Sequence, residues 1–151
     1  MKPLLVIGLG NPLMGDDGVG CAVAERLADD GRLPDGVEAM SGGSDLLRCT
    51  GRMEGRRRVV VIDAMQDGGE PGSVQVLEES AGLDERQDHA HHLSAVQAIR
   101  LVQMIAPVPC TLLGISIPSA AAGTGLSPML AARMPAILDC VLQELTWNSP
   151  N

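Results

Sequence analysis

The first twenty residues constrain this chain more than any other stretch. Leu4-Leu5-Val6-Ile7 is a continuous apolar run that meets Gly8-Leu9-Gly10-Asn11-Pro12 and stops. Leu13-Met14-Gly15 then leads to two adjacent carboxylates, Asp16 and Asp17, followed by Gly18-Val19-Gly20 and a helical pattern. An apolar run of strand length is what a parallel strand buried on both faces requires. The order is therefore strand, glycine-rich loop, helix. In an open α/β sheet, ligands bind at loops leaving the carboxyl ends of strands. The loop holding Asn11, Asp16 and Asp17 is thus the candidate functional loop, and the question becomes what else reaches it.

The rest of the chain supplies the sheet around that loop. Val19, Val23 and Leu27 recur at i, i+4 and i+8, which predicts a helix packed on the sheet and ending near Asp29-Asp30-Gly31. Pro34-Asp35-Gly36 is a turn, and Val37 to Met40 a short second strand. Ser41-Gly42-Gly43-Ser44 reads as a loop, with Ser44 capping a short helix from Asp45 to about Met53. Val59-Val60-Val61-Ile62 is the most β-like run and the predicted central strand, stopping at Asp63-Ala64-Met65. Ser73 to Glu78 alternates as an edge strand does. Too little chain precedes it for a crossover helix, so it should run antiparallel.

A polar segment, Glu79 to Asp88, leads to His89-Ala90-His91-His92. Leu93, Val96, Ile99, Leu101 and Val102 then suit a helix to about Ile105, which Pro107 and Pro109 break. Thr111 to Ile117 is a further strand. Ser127-Pro128 reads as N-cap and first residue of a last helix reaching Trp147 and kinked near Pro135. The tail 148–151 should fray. With no repeat or linker, the prediction is one domain over 1–151: a three-layer α/β sandwich around a five-stranded, mostly parallel sheet.

Composition narrows the function. The 151 residues include one Trp and neither Phe nor Tyr, so the core must be aliphatic and stacking platforms for single-stranded nucleic acid are missing. A formal net charge of −8 opposes phosphate-backbone binding. Arg56-Arg57-Arg58 reads as a solvated start to a strand. Cys21, Cys49, Cys110 and Cys140 match no metal-binding spacing. Cys21, Cys110 and Cys140 sit among apolar residues and should be reduced core thiols. No signal peptide is visible and no apolar run reaches the length of a membrane span. These readings fit a cytoplasmic protein that binds neither nucleic acid nor membrane, with monomer as the default state.

Three sets of polar groups fall at strand ends or helix starts: Asp16 and Asp17, Asp63, and the histidines. If the first and central strands are parallel, Asp17 and Asp63 emerge on one sheet edge. A histidine arriving there would complete two carboxylates and one imidazole, a set suited to a divalent ion such as nickel, zinc or iron. One of the paired acids, Asp16 for preference, could instead cap the helix starting at Gly18, and Asp63 could close an Asx-turn. Gly42-Gly43 is either a simple turn or a place where main chain approaches a ligand closely. No Gly-x-Ser-x-Gly elbow or phosphate-binding Walker loop occurs, and Gly8-Leu9-Gly10 lacks the third glycine of a dinucleotide site.

Taken together these residues resemble a known family. Gly8-x-Gly10-Asn11-Pro12-Leu13-x-x-Asp16-Asp17-Gly18-x-Gly20, Asp63-Ala64 after a β run, His91-x-Leu93 opening a helix, the Gly42-Gly43 loop and Pro118…Gly125-Leu126-Ser127-Pro128 look like the nickel–iron hydrogenase maturation endopeptidases. The resemblance implies a phosphorylase/hydrolase-like fold and a cytoplasmic endopeptidase. Its substrate would be the hydrogenase large-subunit precursor, from which it removes a C-terminal extension after nickel insertion. By motif position it implies Asp17, Asp63 and His91 as catalytic and metal-contacting residues. Asn11, Asp16, Gly42 and Gly43 would support the loop. The nickel is carried by the substrate, other divalent ions could occupy the site, and no organic cofactor is implied. Many members carry Glu where this chain has Asp17, and His89 or His92 could take the place of His91.

Two other readings compete. Peptidyl-tRNA hydrolases share a start similar to Gly8-Leu9-Gly10-Asn11-Pro12, but the following Asp-Asp-Gly is foreign to them and the acidic charge opposes tRNA. A non-enzymatic metal-binding α/β module would hold nickel and cleave nothing.

Overall fold

The computed structural model describes residues 1–77, 94–118 and 120–147. Five strands form one sheet: β1 (Leu4–Leu9), β2 (Val37–Gly43), β3 (Arg58–Met65), β4 (Val74–Leu77) and β5 (Cys110–Ser116), in spatial order β2-β1-β3-β5-β4. β1 pairs in parallel with β2 and β3, and β3 pairs in parallel with β5. β4 runs antiparallel along β5, as its short link to β3 requires. The central position of β3 follows from its Val-Val-Val-Ile run, which is buried on both faces.

Alternation along the strands splits the core into two layers. Leu4 and Val6 of β1, Val60 and Ile62 of β3, and Leu113 and Ile115 of β5 face one side. There they meet α1 (Val19–Ala28) through Val19, Val23 and Leu27, and α4 (Pro128–Trp147) through Leu130, Met134, Ile137 and Val141. Leu5, Ile7, Val59, Val61 and Leu112 face the other side. They pack on α2 (Thr50–Met53), the 3-10 turn before it (Leu46–Cys49), and α3 (Ala95–Ile105). The three-layer sandwich with one antiparallel edge is therefore as the sequence predicts, and its core is aliphatic.

Several local expectations change. β2 continues through Ser41-Gly42-Gly43 instead of stopping at Met40. β3 runs on through Asp63 to Met65, because β5 pairs with it residue for residue up to Ser116. The short helix after β2 is capped by Asp45, whose side chain accepts from the Leu47 N–H at 3.0 Å, and not by Ser44. Ser127 does cap α4, accepting from the Leu130 N–H, and Pro135 lies within that helix. Cys140 is exposed while Cys49 is buried, so the core thiols are Cys21, Cys49 and Cys110. Arg56 is buried rather than solvated: its guanidinium donates to the Lys2 carbonyl and pairs with Glu38 at 2.8 Å. Arg58 bonds Thr111, which leaves only Arg57 of the three in the predicted exposed setting. Among the described residues no helix is long and apolar enough to cross a membrane.

Candidate active site

The chain leaves β1 at Leu9 and is immediately fastened sideways: the Gly10 N–H donates to the Gly43 carbonyl of β2 at 2.9 Å. The Asn11 side chain accepts from the Leu13 N–H at 3.0 Å, and the Met14 N–H donates to the Asn11 carbonyl. This Asx turn folds the loop into a 3-10 turn, Gly15–Gly18, that carries both acids. Gly15 sits at φ 57, a left-handed conformation that glycine adopts without strain. Gly42 and Gly43 therefore serve the scaffold: Gly42 lies against Ile7 and Cys49, and Gly43 anchors the loop.

α1 follows at once and is seated directly on the strand ends. A Cβ at Gly20 would lie 2.3 Å from the Leu9 carbonyl oxygen and 2.5 Å from that of Ile62. A Cβ at Gly8 would lie 2.0 Å from the Gly20 carbonyl oxygen. Main chain thus rests on main chain, and the first turn of α1 spans the ends of β1 and β3. This seat brings Asp17 over the rim where Asp63 emerges.

The two adjacent acids part company. Asp17 Oδ2 accepts from the Asn11 N–H at 2.9 Å, which holds this carboxylate on the β1 side of the rim. Asp16 turns inward, is only 5 % exposed, and binds the far end of the chain. Its Oδ1 accepts from the Ser127 N–H at 2.7 Å and its Oδ2 from the Ser127 hydroxyl at 2.8 Å. The predicted capping role of Asp16 is thus misplaced: Gly18 precedes α1 with no side-chain cap, and the helix served is α4. Nothing in the spacing signals a bond across 111 residues.

Asp63 lies in the last turn of pairing between β3 and β5, opposite Gly114. Its Oδ1 accepts from the Ala64 N–H at 2.9 Å, a contact with the next residue and not an Asx-turn. The carboxyl keeps a partly open face at the rim, yet protein surrounds it closely enough to push its pKa up to about 7. Burial is the chief cause, and the charge of Asp17 adds to it, while the Ala64 hydrogen bond opposes. A carboxyl titrating near neutrality can hold or release a proton at working pH, the property a general acid or base needs.

Beneath this rim the Cys21 thiol points at the Gly8 and Gly10 carbonyls, 3.5 Å from each. Burial pushes this thiol up, with the charges of Glu25 and Asp63 adding and hydrogen bonds from Ser41 and Gly43 opposing. A thiol held protonated is a poor nucleophile. His89, His91 and His92 lie outside the described residues. The four-residue link 106–109 sets the end of α3 at the start of β5, so α3 begins toward the opposite, carboxyl edge of the sheet. Among the described residues no three His, Cys, Asp or Glu side chains come close enough to hold a metal ion. Of the predicted triad, the described structure brings together Asp17 and Asp63.

A sequence model of the hydrogenase maturation proteases matches residues 21–144 of the chain. The hydrogenase 2 maturation protease of Escherichia coli strain K12 is 29% identical over 147 residues, covering 94% of this chain and 90% of its own length. The fold superimposes on the hydrogenase maturating endopeptidase HybD from E. coli with a TM-score of 0.75 at 26% identity, covering 97% of this chain and 93% of that one. A hydrogenase 2 maturation peptidase from Thaumarchaeota archaeon SCGC_AB-539-E09 gives a TM-score of 0.69 at 32% identity, covering 96% and 99% of the two chains.

Proposed function

The chain belongs to the hydrogenase maturation proteases, and from that membership we propose that this peptidase removes a C-terminal extension from a nickel–iron hydrogenase large-subunit precursor once nickel is in place. The nickel belongs to the substrate and serves as the recognition element. Asp17, Asp63 and His91 are its contacts on the protease side. The observation that carries this reading is the meeting of Asp17 and Asp63 at one rim, where the charge of the first helps raise the pKa of the second.

Two anionic oxygens and an imidazole make half a coordination shell for a borderline divalent ion. The precursor's own thiolates make the other half. Neither half suffices, so a nickel-free precursor binds poorly and cleavage reports on metal loading. Bringing a divalent cation to the rim favours the ionised form of Asp63, which frees its proton as the substrate docks. Asp63 or Asp17 is then placed to accept a proton from the water that attacks a peptide carbonyl polarised by the substrate's nickel.

The test incubates the protein with nickel-loaded and nickel-free precursor and weighs the products by mass spectrometry. The expected result is loss of a C-terminal fragment from the loaded precursor alone. Full cleavage by an Asp17→Ala, Asp63→Ala double variant would refute the assignment. Nickel binding with no cleavage would instead favour a metal-binding module.

A further inference from the structure

The loop that carries Asp17 does not stand alone at the rim; the connection between β5 and α4 is stitched to it. Met14 and Gly123 form a parallel bridge, in which the Gly15 N–H donates to the Gly123 carbonyl at 2.8 Å and the Gly123 N–H to the Leu13 carbonyl at 2.9 Å. Gly15 makes this approach possible, since a Cβ there would lie 3.0 Å from the Ala121 carbonyl oxygen. Four residues further on, Ser127 donates both its N–H and its hydroxyl to Asp16. The same hydroxyl accepts from the Leu130 N–H, so the carboxylate lies at the start of α4. Its charge is matched by the helix dipole and by two short, charge-assisted hydrogen bonds. Residues 121–125, which include the bridged Gly123, are exposed.

A buried carboxylate spent on one serine 111 residues away is more than a helix cap requires. Ser127 already caps α4 with its own hydroxyl. What the bond adds is a fixed distance between the loop bearing Asp17 and the exposed 121–125 segment beside it. We propose that Asp16 is a positioning residue for peptide cleavage: through Ser127 it holds the 120–127 segment beside Asp17 as the second wall against which the substrate peptide lies. This rests on the protease reading above. It separates the two neighbouring acids by task, Asp17 facing the substrate and Asp16 facing the scaffold.

The test compares wild type with Asp16→Ala, Asp16→Asn and Ser127→Ala on nickel-loaded precursor, well below the melting temperature. An asparagine can accept from the Ser127 N–H and donate to its hydroxyl oxygen, so it preserves the geometry without the charge. Asp16→Ala should raise KM about tenfold with kcat changed less than about threefold. Ser127→Ala, which keeps the N–H bond, should fall between Asp16→Ala and wild type, and Asp16→Asn should restore most of the loss. Amide exchange at Gly15 and Gly123, followed by NMR, should quicken at least about tenfold in Asp16→Ala and stay near wild type in Asp16→Asn. A residue that merely stabilises the fold would lower the melting temperature and leave KM alone.

A KM for Asp16→Ala within twofold of wild type overturns the proposal, as does an Asp16→Asn variant no better than Asp16→Ala. If Asp16→Ala does not fold, Ser127→Ala decides on the same two readouts. If wild type leaves loaded precursor uncut, the protease reading falls. The exchange rates at Gly15 and Gly123 still decide the clasp: acceleration upholds it and unchanged rates overturn it.

Discussion

Replacing Asp63 by Asn should stabilise this protein while abolishing its activity, and the gain should grow with pH. The carboxyl titrates at about 7 in the fold against an ordinary 3.8. Between those values the folded state keeps a proton that the unfolded chain has already released, so folding loses stability as pH rises from about 4 to 7 and is level beyond. At 1.36 kcal/mol per pKa unit, holding the ionised carboxylate in place costs about 4 kcal/mol at pH 8. Asparagine is neutral throughout and its carbonyl can keep the Ala64 N–H bond, so Asp63→Asn removes that cost with little change of shape. Urea denaturation in the presence of a chelator, at steps from pH 4 to 8, should show no difference near pH 4. A gain of roughly 2 to 4 kcal/mol should appear by pH 8, where each kcal/mol moves Tm by about 2–4 °C in a domain of this size. Adding Asp17→Asn should shrink the gain, because part of the cost is repulsion from Asp17. Equal stabilities at pH 8, or a gain that does not vary with pH, would refute the placement of a buried acid beside a second charge.

Three further outcomes follow from other parts of the molecule. Gly20→Ala should destabilise by about 3 kcal/mol or more, since its Cβ would meet two main-chain oxygens at 2.5 Å or less and neither is free to move; thermal melting checks this. Glu38→Gln should lose about 1 kcal/mol at pH 7. Arg56 holds that carboxyl below its ordinary range, so the stabilisation is present at neutral pH and lost as pH falls through the lowered folded-state pKa, below which the two proteins should converge. His91→Ala should cut precursor cleavage by at least about a hundredfold with stability within about 0.5 kcal/mol of wild type, measured by mass spectrometry and melting. If His89→Ala or His92→Ala shows that profile instead, the imidazole assignment moves to that residue.

The layers of the fold were legible because period and length agree. Val59 to Ile62 is too uniformly apolar to be anything but a central strand, and the helix stripe of Val19, Val23 and Leu27 points at the sheet. Termini were less legible, because pairing overrides local signals. Ser41 and Gly43 look like a loop until β1 is seen to pair with them, with Gly42 in a bulge between, and Asp63 looks like a strand's end until β5 extends alongside it. In the site, Asp17 and Asp63 could be placed on one rim from the parallel order alone. The burial that lifts the Asp63 pKa depends on helix seating, which the bare glycines at 8 and 20 permit but do not announce. The partner of Asp16 was invisible, since long-range side-chain bonds leave no periodicity. Arg56 misled for a related reason: a basic run looks solvated unless the acid that buries one member, Glu38 on β2 two strands away in the sheet, is already in place.

The bridge between Met14 and Gly123 divides the connection from β5 to α4 into two short spans, each closed at both ends. Closing a loop costs entropy that grows only slowly with its length. Residues inserted near Thr124 would therefore lengthen one span and leave the other, and the acids behind it, undisturbed. That single outer span can thus change in length without re-engineering the machinery it borders.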